Sequence, residues 1–237
     1  MINESRAWEP FHIDYMEKVF CISMFPAKRE RILAAIRPGR VLDMGSGPAT
    51  FLLRDLIKYK DMKVFATDFC FQMLKQARQS VQSNNLLFVL ADNRSLPFPE
   101  RTVDTVISVN SILPESRSDV DLMVAEVFRV LRATGRFVAV LPAFETSIMA
   151  RDHWGIEIQI DPVNRREYDT TGWQCFYTKD DIDKLMTRHG FANYHSERIY
   201  FTSNEEIAVI RKIYGNQMSV KRLLDYPLFE HFVVAEK

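Results

Sequence analysis

No apolar run in this chain approaches the roughly 18–20 residues that a helix needs to cross a bilayer. A membrane-spanning helix is therefore not expected. Charge of one sign is also lacking, because 31 Lys and Arg stand against 31 Asp and Glu. With no net field to draw in polyanions, composition gives a nucleic-acid partner no support. Cysteine is scarce. Cys21, Cys70 and Cys175 are far apart and odd in number, so neither a disulfide framework nor a paired-cysteine metal site is expected. The expectation is a cytoplasmic protein with reduced, mostly buried thiols. The polar start, Met1-Ile2-Asn3-Glu4-Ser5-Arg6, has no apolar signal-peptide centre and adds to it.

Repeats, low-complexity tracts and Gly/Ser linkers are missing too. Glycine is sparse at eight residues, so a close pair stands out. Two lie in Val41-Leu42-Asp43-Met44-Gly45-Ser46-Gly47-Pro48-Ala49. An apolar run ends in an acid, a Gly-x-Gly turn follows, and Pro48 suits a first helical position. Gly accepts φ > 0 and lets backbone approach a ligand with no Cβ in the way. A strand, a tight turn and a helix N-terminus make a crevice at the strand's carboxyl end. The same turn also serves as a plain connector in many chains.

Along the chain, residues 12–37 read as helical with a break near Pro26, which opens a second helix through Leu33. Val41–Met44, Lys63–Thr67, Leu86–Ala91, Val103–Val109 and Arg136–Leu141 read as strands. Ala49–Lys60, Gln72–Val81 and Asp119–Arg132 carry helical stripes, with Gly135 placed as a helix-ending glycine. The strands are apolar runs rather than alternating ones. They predict a parallel sheet with helices on both faces. Residues 142–177 read as irregular and aromatic. Thr178-Lys179-Asp180-Asp181 resembles a capping box that opens a helix through His189, ended by Gly190. A polar helical stretch is expected near 203–213. Phe191–Phe201 and Leu228–Ala235 are expected to pair antiparallel, by a short connection, at one edge of the sheet.

Polar residues end the strands. Asp68 closes the second, 23 positions after Gly45, where an acid can accept both ribose hydroxyls or cap the next helix. Asp92-Asn93 closes the third and suits either an adenine edge or a turn. Ser108-Val109-Asn110-Ser111 closes the fourth. Asp43 stands just before the first glycine. A carboxylate there repels a pyrophosphate in a low-dielectric crevice but suits an ammonium or sulfonium.

On these motifs the chain resembles the class I S-adenosylmethionine-dependent methyltransferases, in particular the small-molecule branch that includes the ubiquinone/menaquinone-type enzymes. The resemblance is clear over 40–141, through Val41–Gly47, Ala66-Thr67-Asp68-Phe69-Cys70 with Met73-Leu74, Ala91–Phe98, Thr102–Ser108, and Val130–Phe137. It implies a Rossmann-like doubly wound α/β fold: a mostly parallel seven-stranded sheet with an antiparallel edge strand, plus N-terminal helices. The whole chain is expected to be one domain, with 1–38 a helical cap, 39–141 the cofactor core, 142–177 an acceptor-side lid and 178–237 the rest of the sheet.

The resemblance also implies roles. Gly45, Ser46 and Gly47 take the methionine portion on backbone, with Asp43 near its ammonium. Asp68 takes the ribose, Phe69 and Met73 line the adenosine, and Asp92 and Asn93 hold the adenine. Ser108 and Asn110 approach the methionine end, and Tyr15 covers the cofactor. Asn93 stands where the family often has a small residue, and Ala49 or Thr50 holds the third glycine position. If the acceptor needs a general base, His12, Glu145, His153 and Tyr168 are candidates, each with a plain structural role as the alternative. The aromatic segment 142–177 suits a small, partly apolar acceptor. Nucleic-acid methylation is not expected, because no proline-rich aromatic tetrapeptide follows the fourth strand and no Pro-Cys pair occurs. A non-catalytic cofactor-binding subunit and a nicotinamide-dependent oxidoreductase are the alternatives. The missing third glycine and Asp43 speak against the latter.

Overall fold

The computed structural model describes residue 8 and residues 25–48, 51–169, 171–214 and 218–237. Pro26–Ala35 forms α1 with the proline in its first turn, as its fixed φ favours. The sequence-predicted helix over 12–24, Cys21, and the glycine-position residues Ala49 and Thr50 lie outside the described residues.

Strands and helices then alternate: β1 (Arg40–Met44), α2 (Phe51–Leu56), β2 (Lys63–Asp68), α3 (Phe71–Ser80), β3 (Leu86–Leu90) and β4 (Val103–Val109). α4 (Arg117–Val130) leads into β5 (Leu131–Pro142). After the segment 143–178 come α6 (Lys179–Arg188), β9 (Ala192–Tyr200), α7 (Asn204–Tyr214), α8 (Val220–Asp225) and β10 (Phe229–Glu236). The sheet runs β3-β2-β1-β4-β5-β10-β9. Its first five strands are parallel, and β10 is antiparallel to both neighbours. This is the seven-stranded, mostly parallel, doubly wound sheet that the motifs imply. The antiparallel pair stands at one edge, with β10 inside β9. Its connection is not short but carries α7 and α8.

Successive strand residues point to opposite faces, and each face has its own core. Val41, Val64, Ile107, Val138, Val140 and Phe232 pack on one side with α1 and α7. Leu42, Val106, Phe137, Ala139, Leu141 and Val233 pack on the other with α4 and α6. Both faces are therefore dry, which is why the parallel strands read as unbroken apolar runs.

Three local expectations need correction. α2 is shorter than the stripe over 49–60, because Lys58 and Tyr59 already bond back three residues, to Asp55 and Leu56. Gly135 does not cap α4. It lies within β5, where a Cβ would stand 3.0 Å from the backbone N and O of Arg132. Between the pairs Val103–Leu131 and Thr105–Arg136 the strand makes an irregular excursion, and Gly135 lets it fold back on itself. Residues 142–177 are not irregular. They form α5 (Phe144–Met149), a π-helical turn (Ala150–Trp154) and an antiparallel ribbon of β6 (Gln159–Asp161), β7 (Arg166–Asp169) and β8 (Gly172–Cys175). The capping box at Thr178 and Asp181 is present, and Gly190 follows α6 at φ +77°.

Candidate active site

Both turn glycines adopt left-handed backbone, with φ +69° at Gly45 and +61° at Gly47. A Cβ on Gly45 would stand 2.4 Å from the Ser111 Cβ, so space as well as dihedral requires glycine. The Ser46 amide donates to the Thr67 carbonyl at 2.8 Å. The Gly47 amide donates to one Asp68 oxygen at 3.0 Å and the Cys70 amide to the other at 2.8 Å. Asp68 thus ties the end of β2 to the turn and to the start of α3. Burial pushes its carboxyl up to about 6, against the backbone N–H groups of Cys70 and Gly47. Asp43 is 3% exposed and its Oδ2 has no hydrogen-bond partner. Burial, and then the charge of Asp68, pushes Asp43 up to about 7.

A cavity of about 440 Å³ opens at these strand ends. Gly45, Gly47, Asp68, Phe69 and Met73 form its floor beside β1 and β2. Asp92 and Asn93 join from beyond β3, and Asn110 from beyond β4. Three other expected residues are not on this wall. Asp43, Ser46 and Ser108 are buried behind it. Ser108 meets Ser111 at 2.8 Å, and Ser111, which donates to the Met44 carbonyl at 2.5 Å, is the serine that faces the cavity. The backbone explains the swap. Asn110 is left-handed at φ +50° and turns the chain out of the strand before Ser111. Tyr15 and His12 lie outside the described residues.

Asp92 and Asn93 divide their tasks. Asp92 makes a turn, accepting from the Arg94 amide at 2.8 Å and from the Arg94 guanidinium at both carboxylate oxygens. Burial raises the Asp92 carboxyl, but Arg94 holds it below the usual range. Arg94 also reaches Asp119 at 3.1 Å. Asn93 is 6% exposed and its Oδ1 is left without a partner.

One feature of the wall has no sequence signal. Asn110 donates to Glu230 at 2.7 Å. The other Glu230 oxygen lies 2.6 Å from the ammonium of Lys28, which is fully buried beneath the Phe201 ring. Lys28 sits among polar residues of α1 and Glu230 at the start of β10, so only the fold brings them together. Ser147, Glu167, Trp173 and Gln174 border the cavity from the expected 142–177 segment, though the sequence singles out none of them as a site residue, and Trp8 borders it without any sequence expectation.

The other expected general bases are placed elsewhere. Glu145 pairs with Arg198 at 3.2 Å and His231 at 3.6 Å. Burial raises its carboxyl, but His231 and Arg198 hold it below its usual value. His153 stacks on Tyr226 with centroids 3.7 Å apart. Tyr168 is half exposed and meets the Trp173 ring edge-on. None of the three lines the cavity.

Comparison with known proteins fits this geometry. A family model described as a methyltransferase domain matches residues 41–135. A phosphatidylethanolamine N-methyltransferase of Cereibacter sphaeroides is 32% identical over 167 residues, covering 68% of this chain and 75% of that protein. A malonyl-[acyl-carrier protein] O-methyltransferase of Geobacter sulfurreducens is 27% identical over 68% of this chain, and the match spans 61% of its length. A demethylmenaquinone methyltransferase of Roseiflexus castenholzii is 24% identical over 76% of this chain and 80% of its own. Among solved structures, an S-adenosylmethionine-dependent methyltransferase of Mesorhizobium loti shares the fold with a TM-score of 0.66 at 19% identity, over 91% of this chain and all of that one. The chain belongs to the class I S-adenosylmethionine-dependent methyltransferases.

Proposed function

We propose that the chain transfers the methyl group of S-adenosylmethionine to a small-molecule acceptor held by the 142–177 segment. The observation that supports this best is one cavity that joins the ends of β1 to β4 to that segment. Its volume of about 440 Å³ falls in the range of roughly 300–1,000 Å³ usual for small-molecule sites. The wall suits a nucleoside with an amino-acid tail. Gly45 and Gly47 offer bare backbone, and Asn93 offers a buried acceptor oxygen without a partner.

In this reading Asp68 holds the ribose hydroxyls, Phe69 and Met73 pack on the adenosine, and Asn93 takes the adenine edge while Asp92 fixes its loop. Gly45, Gly47 and Asn110 receive the methionyl end. Asp43 acts from behind the turn through its charge. The bound cofactor supplies a methyl group already activated on a sulfonium. The protein's work is then alignment and exclusion of water, for which orientation can supply up to roughly 7–11 kcal/mol. The chain acts as one unit, with residues 39–141 the cofactor core and 142–177 the lid. A cytoplasmic working place belongs to the same proposal, and Cys70 and Cys175 are both buried.

Asp68→Ala should weaken S-adenosylhomocysteine binding by about 1–3 kcal/mol, read by calorimetry, through loss of charged hydrogen bonds. Unchanged affinity removes Asp68 from the site. Thermal stabilisation of the wild-type protein by NADH and not by S-adenosylhomocysteine overturns the proposal. Cofactor binding without turnover on any member of an acceptor panel favours a non-catalytic subunit.

A further inference from the structure

Six carboxylate residues border the cavity among the described residues, and Arg94 is the one basic residue there. Four of the six are matched. Asp68 accepts two backbone N–H groups, Asp92 is clamped by Arg94, Glu230 faces Lys28, and Glu115 has Arg166 at 3.9 Å. Glu167 and Asp169, both on β7, form no ion pair among the described residues. Glu167 accepts only the hydroxyl of Ser147, at 2.5 Å. Asp169 is held by Thr171 and by Gln174, the latter at 3.2 Å. The adjacent cation, Arg166, is engaged with Asp161 at 2.7 Å and over the Trp173 ring.

Burial pushes the Glu167 carboxyl up, and the charge of Asp169 adds to this against the Ser147 hydrogen bond. Glu167 is partly buried and Asp169 exposed. A carboxylate drawn partly out of water without a counter-charge is costly, and a cation brought by a ligand relieves that cost. Trp173 on the same wall already carries the Arg166 guanidinium over its ring. The wall is also prepared for a ligand elsewhere, since Asn93, 94% buried, leaves its Oδ1 unpartnered in the same cavity.

Resting on the methyl-transfer proposal above, we infer that Glu167, supported by Asp169, selects an acceptor that carries a protonated amine. Ser147 holds the Glu167 carboxylate at one oxygen and leaves the other for the ammonium. Glu167 is then a specificity-determining residue of the lid, and a neutral or anionic acceptor of the same shape is disfavoured.

The test uses the full chain saturated with S-adenosylhomocysteine and three probes of one shape: 2-phenylethylamine, 2-phenylethanol and phenylacetate. Calorimetry should show the amine binding at least tenfold more tightly than the alcohol, with phenylacetate weakest. Glu167→Gln should remove most of that preference and leave S-adenosylhomocysteine affinity within twofold, which also reports an intact fold. Asp169→Asn should reduce the preference less. Equal binding or no binding of the three probes, tightest binding of phenylacetate, or an undiminished preference in Glu167→Gln overturns the inference while the methyl-transfer proposal stands. Failure of the wild-type chain to bind S-adenosylhomocysteine overturns both.

Discussion

The cavity's two walls are made of different material. On the strand-end side, backbone does most of the work: the Gly45–Gly47 turn, amides anchored on Asp68, and a loop fixed by Asp92. The Arg94–Asp92 and fully buried Lys28–Glu230 charges there are paired, and Asp68 is held by backbone N–H groups. On the 142–177 side, side chains of a three-stranded ribbon do the work, and among the described residues Glu167 and Asp169 have no cationic partner. A backbone wall fits the invariant part of a ligand and tolerates little change. A side-chain wall can be retuned without disturbing the sheet, which suits it to the variable part.

That contrast is broken most sharply by charge removal. Lys28→Met should destabilise the protein by about 3–5 kcal/mol in urea unfolding, because Glu230 is left charged and buried. Glu167→Gln on the other wall should change stability by less than about 0.5 kcal/mol, or raise it, since no partner is orphaned except a serine hydroxyl. Equal losses would mean that the two walls are not differently balanced.

Glycine gives the next largest contrast. Gly45→Ala combines left-handed backbone with a Cβ placed 2.4 Å from Ser111, and should cost about 2–4 kcal/mol and abolish cofactor binding. Gly172 in the ribbon also has positive φ, at +112°, but a Cβ there meets nothing within 4 Å. Gly172→Ala should therefore cost about 1 kcal/mol, from backbone strain alone, and spare cofactor affinity. A Gly172→Ala loss as large as that of Gly45→Ala would show that the ribbon is as tightly built as the turn.

The same division decides what the sequence discloses. The apolar runs of β1, β2, β4 and the later part of β5 are legible because they are buried on both faces, and edge strand β3 is apolar although Leu87 and Leu90 are exposed. The Gly-x-Gly turn is legible because only glycine takes its φ. Asp68 and Asn93 follow from their places at strand ends. The ribbon is hidden because its strands are three or four residues long and half exposed, so no period can register. The Lys28–Glu230 pair is hidden because 202 positions separate its members. Ser108 was expected in place of Ser111 because a strand pattern cannot show that Asn110 turns left-handed. Glu145, His153 and Tyr168 have suitable chemistry, but each is engaged by a neighbour that only the fold supplies.

Acidity separates the walls more finely. Asp43 and Asp68 have native values raised to about 7 and about 6, above the carboxylate values of an unfolded chain. The native state then binds more protons than the unfolded state between about pH 4 and 7, so these groups lower stability as pH rises through that window. Asp43→Asn removes one of them. Its stability relative to wild type should grow by about 1–3 kcal/mol from pH 5 to pH 7.5, measured by urea unfolding of the cofactor-free protein. A pH-independent difference would mean that Asp43 is charged and solvated in the native state.

The smallest effect follows from the same carboxyl. If Asp43 answers the cofactor's ammonium, arrival of that cation lowers the Asp43 value toward the ordinary range, and a fraction of a proton leaves on binding near pH 6.5. Calorimetry of S-adenosylmethionine binding in two buffers of different ionisation enthalpy reads this directly. The apparent enthalpy should differ between buffers for wild type and become equal for Asp43→Asn. The lid wall supplies the contrast, because Glu167→Gln should leave the buffer dependence of cofactor binding unchanged. A wild-type enthalpy that is the same in both buffers would take Asp43 out of cofactor recognition. It would leave that residue as a buried acid whose place is fixed only by the packing of β1.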